Sequence, residues 1–343
     1  MDLKAKYNSL TKGKKALTII IACCMVFVIG MGIILASYGI IFAIVQKEHT
    51  PELYTESVAQ DTSLNKIHFL STASSDCIIL ESQGHLAMID CAEDTDNPRG
   101  FEELELEGFE QKVIDYVKKN FANQDGKVHF DFIVGTHSHS DHIGGFDTLL
   151  ADKDITVGKA FLKYYVPGLI IDQEKIEWDN QEVYDQMVNA VNARGIELIQ
   201  DIPTSEIVLG GYTLRFLNTA KPTEVVGENE NSLVLYVTDG QKKILLMGDC
   251  NYLDGDEQKI AKEIGKVDLL KAGHHGYGYS TGTPFLSRTQ PEIAILTNYR
   301  SKSTITVRFR LVMNSRTSTY ATADYNGLVA VIGEEIKLYR GIH

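Results

Sequence analysis

Residues 136–145 read THSHSDHIGG. Three histidines and an aspartate fall within His137–His142, directly after the short apolar run HFDFIVG. A polar surface loop has no need of so much imidazole, whereas neutral imidazoles and carboxylates are the donors that hold zinc and similar divalent ions. On a tight loop at a strand end, His137 and His139 converge on one point while Asp141 and His142 face a neighbouring one. The spacing predicts one part of a metal site whose other ligands lie far along the chain.

Two later strand ends offer those ligands. KKILLMGD finishes at Asp249, a candidate bridging carboxylate, and VDLLKAGHHG finishes at His274 and His275, one of which completes the set. A lone histidine at a strand end is usually structural or exposed. Here five of the ten histidines occupy two loops, a density that packing does not explain.

From Lys66 onward, strand and helix patterns alternate. NKIHFLST, DCIILES and HLAMIDC are short apolar runs broken by SQG, and read as successive antiparallel strands. GFEQKVIDYVKKNF has the period of an amphipathic helix, and QEVYDQMVNAVNARG is a second helix closed by Gly195. SDCIILESQGHLAMIDC is then echoed by NSLVLYVTDGQKKILLMGDC, the two copies ending in Asp90-Cys91 and Asp249-Cys250. The repeat predicts an α/β sandwich of two mostly antiparallel sheets, helices on both outer faces and strand-end loops meeting along one edge. STITVRFRLVMNSR reads equally well as helix or strand, and YGYSTGTP as a mobile glycine-rich loop bordering the site.

The other end of the chain has a different character. Residues 16–45 contain no charged side chain, and as a helix would run about 45 Å against a hydrocarbon core of about 30 Å. The stretch is too long for the apolar core of a cleavable signal peptide and reads as a transmembrane signal anchor. Lys4, Lys6, Lys12, Lys14 and Lys15 precede it, so the expected topology puts residues 1–15 in the cytoplasm, 46–65 outside as a polar tether, and 66–343 outside as the domain that carries the histidine loops. Without those lysines and Asp2, residues 16–343 carry 28 basic against 45 acidic side chains, a balance of −17 that opposes nucleic acid as a partner. Cys77, Cys91 and Cys250 lack CxxC spacing, which argues against a cysteine zinc site, while the hairpin leaves a Cys77–Cys91 bridge open.

THSHSDHIGG, MGDC and AGHHG, in that order, identify residues 66–340 as resembling the metallo-β-lactamase superfamily through its HxHxDH signature. Within it, SDCIILESQGHLAMIDCAEDTD, KIEWDNQEVYD and GKVDLLKAGHH resemble the catalytic domain of cell-wall phosphorylcholine esterases of Gram-positive bacteria. ENENSLVLYV, LMGD and HHG also resemble the hydrolase domain of competence-type DNA-uptake channels. The resemblance implies an αββα fold, two divalent ions (zinc, with manganese or iron as alternatives) and phosphoester hydrolysis. It assigns His137 and His139 to the first ion, Asp141, His142 and His275 to the second, and Asp249 to both, with His274 left to contact the substrate. Asp90 then supports the loop. The resemblance has one gap: no histidine occurs between Ile143 and Gly273, where many relatives place a further ligand. Asn231 fills that gap, binds substrate, or caps a strand.

Asp141 and His274 are the catalytic candidates, the first orienting the attacking water and the second protonating the leaving oxygen. Trp178, Tyr164 and Tyr165, close together in sequence with carboxylates nearby, read either as a site for a cationic head group or as a packing cluster. The expected function is that of an anchored, extracytoplasmic phosphodiesterase acting on wall or lipid head-group phosphoesters. The alternatives are nuclease-like hydrolysis of DNA, and hydrolysis of a lactone, thioester or β-lactam.

Overall fold

The computed structural model describes residues 7, 11–55, 58, 61–95, 106–253, 256–314 and 317–341. The chain divides into two units, Met1–Lys47 and Glu48–His343. The first contains the helix Lys12–Val45, which is long and apolar enough to cross a membrane.

The second unit is a four-layered α/β sandwich. Its first sheet has eight strands in the order β15-β14-β1-β2-β3-β4-β5-β6, and its second has seven in the order β13-β12-β11-β10-β9-β8-β7. The strands are β1 (Asn65–Phe69), β2 (Ile78–Ser82), β3 (His85–Ile89), β4 (Val128–Gly135), β5 (Ile155–Leu162), β6 (Glu197–Ile199), β7 (Ile207–Leu209) and β8 (Tyr212–Leu217), followed by β9 (Val234–Thr238), β10 (Lys243–Leu246), β11 (Leu269–Lys271), β12 (Ile293–Leu296), β13 (Ser318–Ala321), β14 (Leu328–Ile332) and β15 (Ile336–Arg340). Successive side chains on a strand point to opposite faces. Ile78 and Leu80 accordingly enter the core between the sheets with Phe216, Leu235 and Ile244, while Cys77 and Ile79 pack outward under Val113 and Val117 of the helix Glu110–Phe121. A third cluster places Leu245 and Leu270 against Ile260, Phe285, Val307 and Leu311 of the helices on the other outer face.

The sheets are mixed, not mostly antiparallel as the sequence repeat led us to expect. β3 to β6 run parallel, as do β10 to β13. The reason lies in the connections: the long segments joining these strands carry helices that cross a sheet face, and such crossovers return the chain in the same direction. The ambiguous run STITVRFRLVMNSR is one of them, helical over Ile305–Met313, with Val307 and Leu311 buried one turn apart. Its β-branched residues are overridden by that apolar stripe. The internal repeat survives in three dimensions, since each half is a hairpin (β2-β3 or β9-β10) followed by a parallel strand (β4 or β11).

Two further details follow from the structure. The first part of the segment read as a free tether is docked: Glu48 pairs with Arg308 at 2.8 Å and Arg300 at 3.2 Å, and Tyr54 bridges to Tyr339. Cys77, Cys91 and Cys250 are buried free thiols.

The loop YGYSTGTP is pinned rather than loose. The Glu257 carboxylate accepts the Thr281 and Gly282 backbone N–H groups, the latter at 2.9 Å, and Arg310 donates to Ser280 O at 2.9 Å. Burial pushes the Glu257 carboxyl up to about 7 against the pull of both amides and Arg310. A carboxyl that binds its proton more tightly folded than unfolded makes the fold lose stability as pH rises from the ordinary carboxylate range through 7. Glutamine resembles the neutral acid and does not titrate. Between pH 5 and 8 the wild type is expected to lose about 2–3 kcal/mol relative to Glu257→Gln, read from paired denaturant melts; a pH-independent difference contradicts the assignment.

Candidate metal centre

All the candidate ligands lie at the C-terminal ends of strands on one edge of the sandwich. β4 delivers His137 to His142, β10 leads through Gly248 to Asp249, and β11 leads to His274 and His275. His274 and His275 both have left-handed backbone, with φ of 51° at each, a conformation that non-glycine residues adopt at a cost and that sites retain when it aims a side chain. Gly276 extends the turn at φ +83°, where a Cβ would come within 2.9 Å of Leu296.

One set of donors is tight. His142 Nε2 lies 3.2 Å from His275 Nε2 and 3.2 Å from Asp249 Oδ1, while His275 Nε2 lies 3.3 Å from both Asp249 Oδ2 and Asp141 Oδ2. Separations of this size are those of donors that can share one divalent ion. The outer nitrogens of both rings are held by carboxylates: His142 Nδ1 meets Asp90 at 2.7 Å and His275 Nδ1 meets Asp76 at 3.1 Å. With those N–H groups donating outward, two ring lone pairs face each other across the cluster. That arrangement calls for a cation between them. Asp76 lies close enough to count among the cluster's ligand atoms, but it sits on the Nδ1 side of His275 and pairs with Lys271, so it orients the ring.

His137 and His139 form a second pair, with His137 Nε2 3.1 Å from His139 Nδ1. His139 Nε2 meets Glu174 at 2.7 Å, which directs Nδ1 inward, and His137 Nδ1 lies near the hydroxyls of Thr136 and Ser232 at 3.0 and 3.2 Å. The tighter donors, with Asp249 among them, fit a divalent ion, and His137 and His139 present two more ring nitrogens beside them. Glu174→Gln is expected to weaken metal at the His137–His139 pair about 10–100-fold and to spare the other pair, because losing the outer carboxylate loosens ring and tautomer together. Calorimetric metal titration separates the two steps, and a uniform loss at both contradicts it.

The electrostatics agree with a cation-binding cluster. Burial opposes charge on His142, but Asp249 and Asp90 raise it to about 10, and His275 is likewise held high by Asp249 and Asp76 despite burial. Burial alone would raise Asp249, yet His275 and His142 hold it well below the usual carboxylate range. Protons here occupy the place of a metal, so metal binding releases them. His137 is instead driven low by burial and by His142 and His139.

His274 and His275 divide their roles by exposure. The His275 side chain is 1% exposed and inside the cluster; that of His274 is 29% exposed, with Nε2 3.9 Å from Asp249 Oδ2 and Nδ1 3.3 Å from Gly278 O. The remaining candidates scatter. Trp178 lies 5.8 Å from the His139 ring, but Tyr165 packs on Tyr184 at 5.7 Å and the Tyr164 face already carries Lys221 at 4.0 Å. No aromatic cage forms from the three. Asn231 turns its amide nitrogen to Glu228 at 3.4 Å, and Glu228 accepts Ser138 N at 2.9 Å, between the two histidines of the weaker pair. Asp76, Lys271, Glu174 and Glu228 were not singled out from the sequence.

Residues 108–276, which span every candidate histidine, match the β-lactamase superfamily domain. Recombination protein 2 of Haemophilus influenzae is 40% identical over 73 residues, 21% of this chain and 9% of that protein. ComE operon protein 3 of Bacillus subtilis is 26% identical over 179 residues, 51% of this chain and 21% of that protein. The chain thus spans less than a quarter of the length of either relative. The metallo-β-lactamase fold protein YhfI of Bacillus subtilis, a solved structure, is 13% identical and aligns over 78% of this chain and 100% of its own at a TM-score of 0.49. Sandwich, strand-end histidine loops and sequence match together make the unit after the apolar helix a metallo-β-lactamase fold domain.

Proposed function

We propose that this protein is a membrane-anchored, metal-dependent phosphodiesterase, active outside the membrane on wall or lipid head-group phosphoesters. The observation that carries the reading is a solvent-accessible imidazole, His274, standing 3.9 Å from Asp249 of the tighter donor set. Divalent ions in such a cluster, zinc in the first instance, act as Lewis acids on phosphoryl oxygens and lower the pKa of a nearby water. Gly278 O takes the Nδ1–H of His274 and burial lowers the pKa of the ring, so Nε2 is the free lone pair that would first take a proton from the attacking water and then pass it to the leaving oxygen. Asp141, 3.3 Å from His275 Nε2, would join the tighter set on one side and orient water on the other. A thiol nucleophile is disfavoured, because burial pushes Cys77, Cys91 and Cys250 well above the ordinary thiol range.

A second reading, hydrolysis of DNA, draws on the match to a relative named Recombination protein 2. The balance of −17 over residues 16–343 opposes it. The deciding experiment measures metal content and turnover of bis-p-nitrophenyl phosphate, p-nitrophenylphosphorylcholine and single-stranded DNA, with His139→Ala as control. Metal-dependent cleavage of the small diesters and not of DNA supports the phosphodiesterase. Turnover of a β-lactam or thioester with no diester cleavage removes it.

A further inference from the structure

The loop after the histidine pair carries a hydrogen-bonded chain whose direction is fixed. The Tyr299 backbone N–H donates to Asn298 Oδ1 at 2.8 Å, which sets the amide, since a flipped Asn298 would turn an N–H toward an N–H. Ser74 Oγ donates to the same oxygen at 2.9 Å. A hydroxyl has one proton to give, so toward Tyr277, also 2.9 Å away, Ser74 Oγ is the acceptor. The order is therefore Tyr277 O–H to Ser74 O–H to Asn298 Oδ1. Asn298 is fully buried and its Nδ2 has no partner among the described residues, so the two donors at Oδ1 alone set the amide.

The consequence falls on Tyr277. Its phenol proton is turned to Ser74, and only acceptor lone pairs remain for anything outside the chain. The half-buried ring stands edge-on to His274 at 5.5 Å and to His275 at 6.2 Å, on the side where His274 serves the leaving oxygen. A group in that position able to donate to Tyr277 is a hydroxyl or an ammonium. Of the two, a hydroxyl is the donor that the alcohol half of a phosphodiester commonly carries, and a quaternary ammonium has no proton to donate.

We propose that Tyr277 binds the leaving half of the substrate by accepting a hydrogen bond from a hydroxyl group, so that the preferred substrates are polyol phosphodiesters. This rests on the phosphodiesterase reading above. The test is steady-state kinetics of the metal-loaded full chain in detergent, on glycerophosphoglycerol and on bis-p-nitrophenyl phosphate, which has no donor. Tyr277→Phe is expected to raise KM for glycerophosphoglycerol about tenfold with kcat little changed, and to leave both constants for bis-p-nitrophenyl phosphate within about twofold. Unchanged metal content and circular dichroism show that the variant is intact. Equal losses on both substrates make Tyr277 a support for the histidine loop and overturn the proposal, as does no effect on either. A wild type that cleaves bis-p-nitrophenyl phosphate but glycerophosphoglycerol no better than p-nitrophenylphosphorylcholine overturns it too, leaving the phosphodiesterase standing. Inactivity on every diester removes both.

Discussion

Asp249→Asn is expected to lower phosphodiester turnover by about 10³-fold or more and to strip metal from the cluster. The carboxylate lies within 3.2 Å of His142, 3.3 Å of His275 and 3.6 Å of Lys271, so the inward-facing Nε2 atoms of both rings and the buried ammonium converge on it. Asparagine keeps the shape and removes the charge, so the fold is retained while Lys271 now repels the ion that Asp249 attracted. Metal analysis by mass spectrometry and kcat on bis-p-nitrophenyl phosphate read the two effects. A variant that keeps its full metal complement and loses only activity places Asp249 in the chemistry alone; one that keeps both removes it from the site.

Lys271→Met should have the largest effect on stability, and mainly in the metal-free protein. The Lys271 ammonium is fully buried, contacts Asp76 and donates to Gly248 O at 2.8 Å. Opposing burial, Asp76 and Asp249 hold its proton on. Removing one partner of a buried pair strands the other, at a cost of about 3–5 kcal/mol. A bound divalent ion beside Asp249 replaces part of the missing positive charge, so zinc is expected to recover much of that loss. Denaturant unfolding in EDTA and in saturating zinc measures the gap. Equal destabilisation in both conditions contradicts a charge-balancing role and leaves simple packing.

The elements were largely legible because most strands and helices bury one periodic face, and the histidine loops because their ligand spacing is local. The supporting residues were not. Glu174 sits in DQEKIEW, which reads as an exposed acidic helix turn, and only tertiary packing brings it to His139. Asp76 ends the polar run STASSD and reads as a loop residue. Lys271 did leave a signal: a single charge next to the end of the apolar strand run VDLLKAG, on a strand flanked by two others, asks for a buried partner. The parallel pairing of β3 to β6 escaped because the repeat reports hairpins and says nothing of how the intervening helices return the chain. Tyr164 and Tyr165 are adjacent in sequence, yet one faces Lys221 and the other Tyr184, so proximity along the chain was a poor guide to a shared pocket.

The ligands also set an order of events in maturation. His137 to His142 hang from the eight-stranded sheet, whereas Asp249 and His275 hang from the seven-stranded one. Neither half of the chain, folded alone, owns the tighter donor set, so ion capture waits until the two sheets have closed on each other. Once captured, the ion acts as a clasp across the seam, and its binding energy is added to that closure. A chain truncated before Asp249 therefore lacks the tighter donor set, and metal uptake there by the whole protein reports that the strands carrying Asp249 and His275 have arrived.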